Sequence, residues 1–276
     1  MGSMDGKVAV VAGATRGIGK GIALELGAAG AHVVASGRTL DRSDDGQSGS
    51  LAETVAAITD AGGSATPYRC DFLDDDNVAG LFATVGAEHG RLDVLVNSVF
   101  NAYQFRESIG SRFWELPVDV WREVVDVGTR TAYSAATFAA PLLISSGGGL
   151  IANVSGRGAE RYRYNVAYGV GKAALDKMTR DMAEELADLQ VAVVSLWPNV
   201  TRTENVDASS AASSEAAAAF GDLDLLETPR YSGRAVVALA SDPQVMARTG
   251  HRYWVAELAA EYGFTDEHGR KHPLPQ

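Results

Sequence analysis

The chain has 276 residues, with 24 Lys and Arg against 35 Asp and Glu, a net charge of −11, and 46% hydrophobic residues. This acid excess argues against nucleic acid and against an anionic membrane surface as partners, because both need clustered cations, and no long basic run occurs. The lone Cys70 excludes an intrachain disulfide framework or a cysteine-rich zinc site. The histidines His32, His89, His251, His268 and His272 lack metal-ligand spacing. No apolar stretch reaches the roughly 18 residues of a spanning helix, and no charged-then-apolar leader opens the chain. A cytoplasmic protein is expected.

Met1-Gly2-Ser3 ahead of Met4 reads as a cloning remnant, leaving residues 4–276 as a single expected domain. Short β-branched runs predict strands at Lys7–Ala12, His32–Ser36, Asp93–Asn97, Leu150–Val154 and Val191–Leu196. Longer stretches of helical period fall at Gly17–Ala29, Leu51–Thr59 and Lys172–Leu189. Their alternation predicts an α/β fold, a doubly wound parallel sheet with helices on both faces. Val8-Ala9-Val10-Val11 and Val191-Ala192-Val193-Val194 are continuously apolar, as strands covered on both faces must be. The polar stretch Asp41–Ser50 reads as a surface insertion after the second strand. Asn205–Leu226 is rich in Ala, Ser, Asp and Glu, and reads equally as a mobile helical flap, at about 204–230, or as unstructured chain.

Directly after the first strand stands Gly13-Ala14-Thr15-Arg16-Gly17-Ile18-Gly19, ahead of a helical pattern. Glycines at this spacing permit a tight turn and let backbone N–H groups approach a pyrophosphate at a helix N-terminus, so Gly13, Thr15, Arg16, Gly17, Ile18 and Gly19 are candidate cofactor ligands. The plain alternative is a turn that merely joins strand to helix. The second strand ends Ala35-Ser36-Gly37-Arg38, without the carboxylate that would accept from a ribose 2′-hydroxyl. Arg38, with Arg16, is placed to bracket a 2′-phosphate, which predicts NADP(H) in preference to NAD(H); two solvated arginines are the alternative. Asp71, at the end of a third strand and beside Phe72, is placed to accept from an adenine amine or to serve as an ordinary turn aspartate. Asn97 ends the fourth strand at the carboxyl edge, where such sheets bind ligands.

Tyr168-Gly-Val-Gly-Lys172 places a phenol and an ammonium four residues apart, on one helix face. A lysine cation and a positive nicotinamide would favour the phenolate and lower the tyrosine's pKa, letting it exchange a proton with a substrate oxygen. Thirteen residues upstream, Ser155 ends the fifth strand and is expected to orient the same oxygen.

On these motifs the chain resembles the short-chain dehydrogenases/reductases over essentially residues 4–276, and within them the dehydrogenase/reductase member 1 subgroup. The subgroup likeness rests on Arg91-Leu-Asp-Val-Leu-Val-Asn97, Phe113-Trp114-Glu115 with Pro117 and Trp121, Tyr168 to Ala174, Ser195-Leu-Trp-Pro198, and Leu258-Ala259 through Tyr262-Gly263. The resemblance implies a Rossmann fold and an oxidoreductase that moves a hydride between NADP(H) and a small carbonyl or alcohol substrate. It implies Tyr168 as proton donor, Lys172 as holder of the nicotinamide ribose, and Ser155 as orienter of the carbonyl. It also implies Pro198, Thr201 and Thr203 in a nicotinamide loop, and a homodimer or homotetramer paired through helices around Val118–Leu143 and Val166–Leu189.

Four departures from that pattern stand out. The usual Asn-Asn-Ala-Gly is Asn97-Ser98-Val99-Phe100 here, the relay asparagine falls at Gly128, and Pro-Gly becomes Pro198-Asn199, whose asparagine tolerates positive φ. The strand-end pattern would also put the serine one place later, at Gly156. On the substrate side, Phe100, Tyr103, Trp114, Tyr162 and Tyr164 suit a flat apolar molecule or pack the flap and a subunit contact. Arg157, Arg161 and Arg163 read chiefly as solvated, with capture of a substrate carboxylate as the alternative. Besides a carbonyl reductase, the sequence admits an NAD-dependent alcohol dehydrogenase or a dinucleotide-binding regulatory protein of weak turnover.

Overall fold

A computed structural model describes residues 2–41, 48–100, 109–212, 214, 218 and 220–274. Seven strands form one sheet: β1 (Val8–Ala12), β2 (His32–Gly37), β3 (Ser64–Arg69), β4 (Val94–Asn97), β5 (Gly149–Val154), β6 (Val191–Trp197) and β7 (Arg252–Trp254). Every pairing is parallel, in the order β3-β2-β1-β4-β5-β6-β7. The helices are α1 (Gly17–Ala28), α2 (Leu51–Asp60), α3 (Asp75–His89), α4, α5 (Val166–Leu186), α6 (Glu204–Ala212), α7 (Pro229–Ser241) and α8 (Val255–Tyr262). α4 starts with Asp119–Trp121, passes through a π-helical stretch Arg122–Arg130 and continues as Thr131–Ser145. The chain thus has the doubly wound Rossmann-like architecture that its alternating pattern predicts.

Alternation within the strands divides the core. Ala9 and Val11 face Ile22, Leu26, Tyr231, Val236 and Leu258 on the side covered by α1, α7 and α8. Val8 and Val10 face Val78, Leu81, Phe82, Ala139 and Leu143 on the side covered by α3 and α4. Successive side chains point to opposite faces, so a strand between two helical layers must be apolar at every position. The edge strand β3 escaped delimitation in the sequence because it is largely solvent-facing and contains Pro67, which an edge tolerates. β7 is too short to give a sequence signal. Where α1 crosses α7, a Cβ on Gly21 would lie 2.2 Å from the Pro229 backbone carbon. Only glycine permits that approach, and it fixes the start of α7 against the helix that follows the glycine loop.

Between the central strands runs a buried polar chain. The Asn97 side-chain amide donates to Asn153 Oδ1 at 2.9 Å, and the Asn153 amide donates to Thr179 Oγ1 at 2.9 Å. Asn97, read as a cofactor contact at the strand end, spends its amide N–H inward, and the polar chain ties β4 to β5 and β5 to α5. No helix among the described residues is long and apolar enough to cross a membrane.

Candidate active site

The carboxyl ends of β1, β4 and β5 converge on one edge, and the glycine loop is seated there by close backbone approaches. Gly13 and Ala14 donate their amides to the Ser36 carbonyl at 2.8 and 3.0 Å. A Cβ on Gly13, whose φ is 85°, would fall 2.6 Å from the Ser98 carbonyl oxygen, and one on Gly19 would fall 2.1 Å from that of Gly13. The Ser98 backbone therefore packs directly against the loop. Ile18, half-buried, packs against the core. Gly17, at φ 55°, opens α1, whose N-cap Arg16 supplies no side-chain cap. The Gly17 amide donates instead to a carboxylate oxygen of Glu204, at 2.8 Å.

Next to this loop, the Thr15 methyl lies under Gly37 and the Gly49 backbone folds onto the Thr15 carbonyl. The far end of the insertion thus packs on the loop; Asp44 and Asp45 lie outside the described residues. Arg38 is exposed at the strand end, and its carbonyl accepts from Arg69 Nε at 3.2 Å. Asp71 lies two residues beyond β3, and its carboxylate accepts from the Leu73 amide at 3.1 Å, closing a turn. Phe72 is buried in the core, so it offers a ligand no side chain.

On the other side of β1, Asn165 caps α5 by accepting from the Tyr168 amide at 2.9 Å, which puts the phenol in the first turn and Lys172 one turn on. Lys172 Nζ stands 5.8 Å from the Tyr168 ring centroid and 5.2 Å from that of Phe100, and donates to the Val154 carbonyl at 3.0 Å. Tyr164 and Phe100 meet the Tyr168 ring edge-on at 5.1 and 6.2 Å. Gly158 makes the seat: a Cβ there would collide with the ring at 2.4 Å from Cε1.

The expectation for Ser155 needs correction. Its buried hydroxyl donates to the Lys172 carbonyl at 3.1 Å, whereas a Cβ on Gly156 would lie 3.3 Å from the Tyr168 hydroxyl. Consecutive residues at a strand end point in opposite directions, so the position that faces the phenol is the one without a side chain. Gly156 has an extended backbone, φ 166°, which any residue adopts.

Charge in this corner also differs from expectation. Burial raises the Tyr168 pKa, with Tyr164 adding to the rise and Arg163 opposing it. Burial likewise lowers Lys172 to about 8, partly countered by Asp176. The expected depression relied on the lysine cation together with a positive nicotinamide; the chain's own surroundings shift Tyr168 upward, chiefly by desolvation. Its surroundings thus favour the protonated phenol.

Pro198 leads from β6 into the loop that carries Thr201 and Thr203. Asn199 is not among the non-glycine residues of positive φ, which among the described residues are Tyr164 and Gln190, so this position does without the left-handed conformation. Its amide donates to Glu227 Oε2 at 2.9 Å, and Glu227 also pairs through its backbone with Val200 and Arg202. Burial pushes the Glu227 carboxyl up to about 7. The Thr201 hydroxyl donates to the Asn199 carbonyl at 3.0 Å and so braces the loop, while the Thr203 methyl lies over Gly17. Glu204 and Glu227 were invisible to spacing rules because each lies far along the chain from the loop it holds.

Of the aromatic candidates, Phe100 and Tyr164 reach Tyr168. Trp114 is exposed against Phe113, Tyr162 is exposed, and Tyr103 lies outside the described residues. Arg163 stacks on Tyr164 at 4.7 Å, while Arg161 is exposed. Gly128 sits in the π-helical stretch, and the neighbouring Thr129 hydroxyl donates to the Gly171 carbonyl at 3.2 Å. No group of three or more His, Cys, Asp or Glu suited to a metal ion occurs among the described residues.

A strand–glycine loop–helix unit whose Gly17 amide holds a carboxylate suits a dinucleotide pyrophosphate. Residues 7–225 match the family model of short chain dehydrogenases. The chain is 39% identical to dehydrogenase/reductase SDR family member 1 of Mus musculus over 274 residues, covering 97% of this chain and 85% of the relative. It is 39% identical to the Homo sapiens protein of the same name, with the same coverage. Among solved structures, a protein from Burkholderia xenovorans assigned as a short-chain dehydrogenase/reductase superposes with a TM-score of 0.81 at 27% identity, covering 96% of this chain and 100% of that one. One from Beutenbergia cavernae, assigned as an NAD(P)-dependent gluconate 5-dehydrogenase and carrying NADP at low occupancy, gives 0.74 at 29% identity over 93% and 97% of the two chains. The chain belongs to the short-chain dehydrogenase/reductase family and is an NAD(P)-dependent oxidoreductase of that family.

The Ser155 bond gives a stability test. Ser155→Ala leaves the Lys172 carbonyl without that donor and should lower the urea unfolding free energy by about 0.5–1.5 kcal/mol. An unchanged midpoint would show that the bond contributes nothing.

Proposed function

We propose that the chain is an NADPH-dependent carbonyl reductase acting on a small, apolar ketone or aldehyde, with Tyr168 as the acid/base group. The observation that carries this reading is the Tyr168 phenol seated on Gly158 at the carboxyl edge of the sheet beside Lys172. A bound nicotinamide would supply the hydride. Tyr168 donates the proton to the carbonyl oxygen as the alcohol forms, and Lys172, held at the Val154 carbonyl, is placed to hold the ribose and to replenish that proton. Ser155 acts on this reading through the Lys172 turn rather than on the carbonyl. Phe100 and Tyr164 border the phenol and favour a flat, apolar substrate. A homodimer or homotetramer through α4 and α5 fits the exposure of Tyr133, Val166 and Val170 on those helices.

Tyr168→Phe is expected to lower NADPH-dependent reduction by about 100- to 10,000-fold while dinucleotide affinity stays within a factor of a few. Full turnover by this variant would show that another group donates the proton.

Preference for NADP(H) rests on the exposed Arg38 and on the absence of an acid at Ala35, Ser36 and Gly37. A guanidinium bonds a 2′-phosphate through paired N–H groups. Arg38→Ala should therefore weaken NADPH roughly 10- to 150-fold, as expected for loss of a charge-assisted contact, and leave NADH nearly unchanged. Tighter binding of NADH by the unmutated protein would favour the second reading, an NAD-dependent alcohol dehydrogenase.

A further inference from the structure

The contact between Glu204 and Gly17 joins two segments that are 187 positions apart. Glu204 is the first residue of α6, the start of the segment read from the sequence as a flap. Its carboxylate occupies the amide at the mouth of α1, where the helix dipole and an unpaired N–H favour negative charge. The fit extends beyond one bond. Thr203 lays its methyl over Gly17, where a Cβ would lie 3.4 Å from Thr203 Cγ2. The Thr203 carbonyl accepts from the Val206 and Asp207 amides and so starts α6 directly above the glycine loop. Arg202 pins this foot of the flap from the other side, by ion pairs to Asp207 at 2.8 Å and Asp224 at 2.6 Å.

We infer that Glu204 is a built-in competitor of the cofactor: its carboxylate stands in for a pyrophosphate oxygen on the Gly17 amide, and dinucleotide binding must displace it. The inference rests on the reading that the glycine loop receives a dinucleotide. One N–H cannot serve both acceptors at full strength, and a carboxylate beside a diphosphate is repelled by it. Cofactor entry therefore frees the start of α6 from α1, so that the position of the flap depends on whether cofactor is bound. This makes Glu204 a positioning residue: it sets cofactor affinity and flap attachment together and takes no part in proton transfer. Because the pyrophosphate is common to both dinucleotides, the effect does not discriminate between them, unlike that of Arg38.

The test is direct titration of the full-length protein with NADPH and, separately, NADH, followed by calorimetry, in the unmutated chain, Glu204→Gln and Glu204→Ala. Both variants should bind both dinucleotides roughly 5- to 50-fold more tightly, by the same factor for each, since the closed form no longer has to be opened. The thermal midpoint of the ligand-free variants should fall while that of the saturated variants does not. Unchanged or weaker affinity, with the ligand-free midpoint lowered, would overturn the inference and leave Glu204 as a simple cap of α1. If neither dinucleotide bound even the unmutated chain, the cofactor reading itself would fail, a result distinct from the first because it would not depend on the residue at 204.

Discussion

The site depends on how closely backbone can approach backbone at the carboxyl edge of the sheet. Gly13 lies against the Ser98 carbonyl and Gly19 against the Gly13 carbonyl, at separations that no side chain would allow. These contacts turn the chain sharply out of β1 and aim the first amides of α1 at one point. Gly158 does the same for Tyr168, because its missing Cβ is the space that ring fills. Substituted at any of these positions, the loop or the ring would have to move, and the alignment of the two halves of the site would go with it. The geometry is a product of sterics first; the charges then act within it.

Burial works on those charges in a direction that residue types alone do not reveal. Tyr168 and Lys172 sit on one helix face as their spacing requires, yet desolvation makes the neutral form of each easier to reach: the phenol keeps its proton more firmly, and the ammonium releases its own near pH 8. On the proposed reading, such a pair donates a proton to an oxygen that becomes negative, with the lysine as the source of a second proton. Glu227 follows the same physics in the loop after β6, where a buried carboxyl pushed up to about 7 holds the Asn199 amide.

Much of the fold could be read from the sequence, because central parallel strands must be apolar at every position. The runs in β1 and β6 are read directly, whereas β3 alternates, contains Pro67 and carries no such signature. The glycine loop and the Tyr168–Lys172 pair were legible as well, since each is a local spacing with a local mechanical reason. Local spacing could not tell which strand-end residue faces the phenol. Ser155 and Gly156 differ by one position, and the pleat of β5 decides between them. Asn97 shows the same limit: its place at a strand end is as read, but its amide bonds inward to Asn153. Glu204 reaches Gly17 only through the fold, so no motif could have announced it.

The central claim is that this edge of the sheet carries out hydride transfer and does not merely hold a dinucleotide. It is tested most directly by incubating the protein with NADPH and with NADH, each deuterated at both hydrogens of nicotinamide C4, and a panel of ketones and aldehydes, then weighing the alcohols by mass spectrometry. The account predicts that at least one alcohol gains a single deuterium on its carbinol carbon at a rate proportional to protein concentration. Saturable binding of the dinucleotides with no deuterium in any product would contradict it.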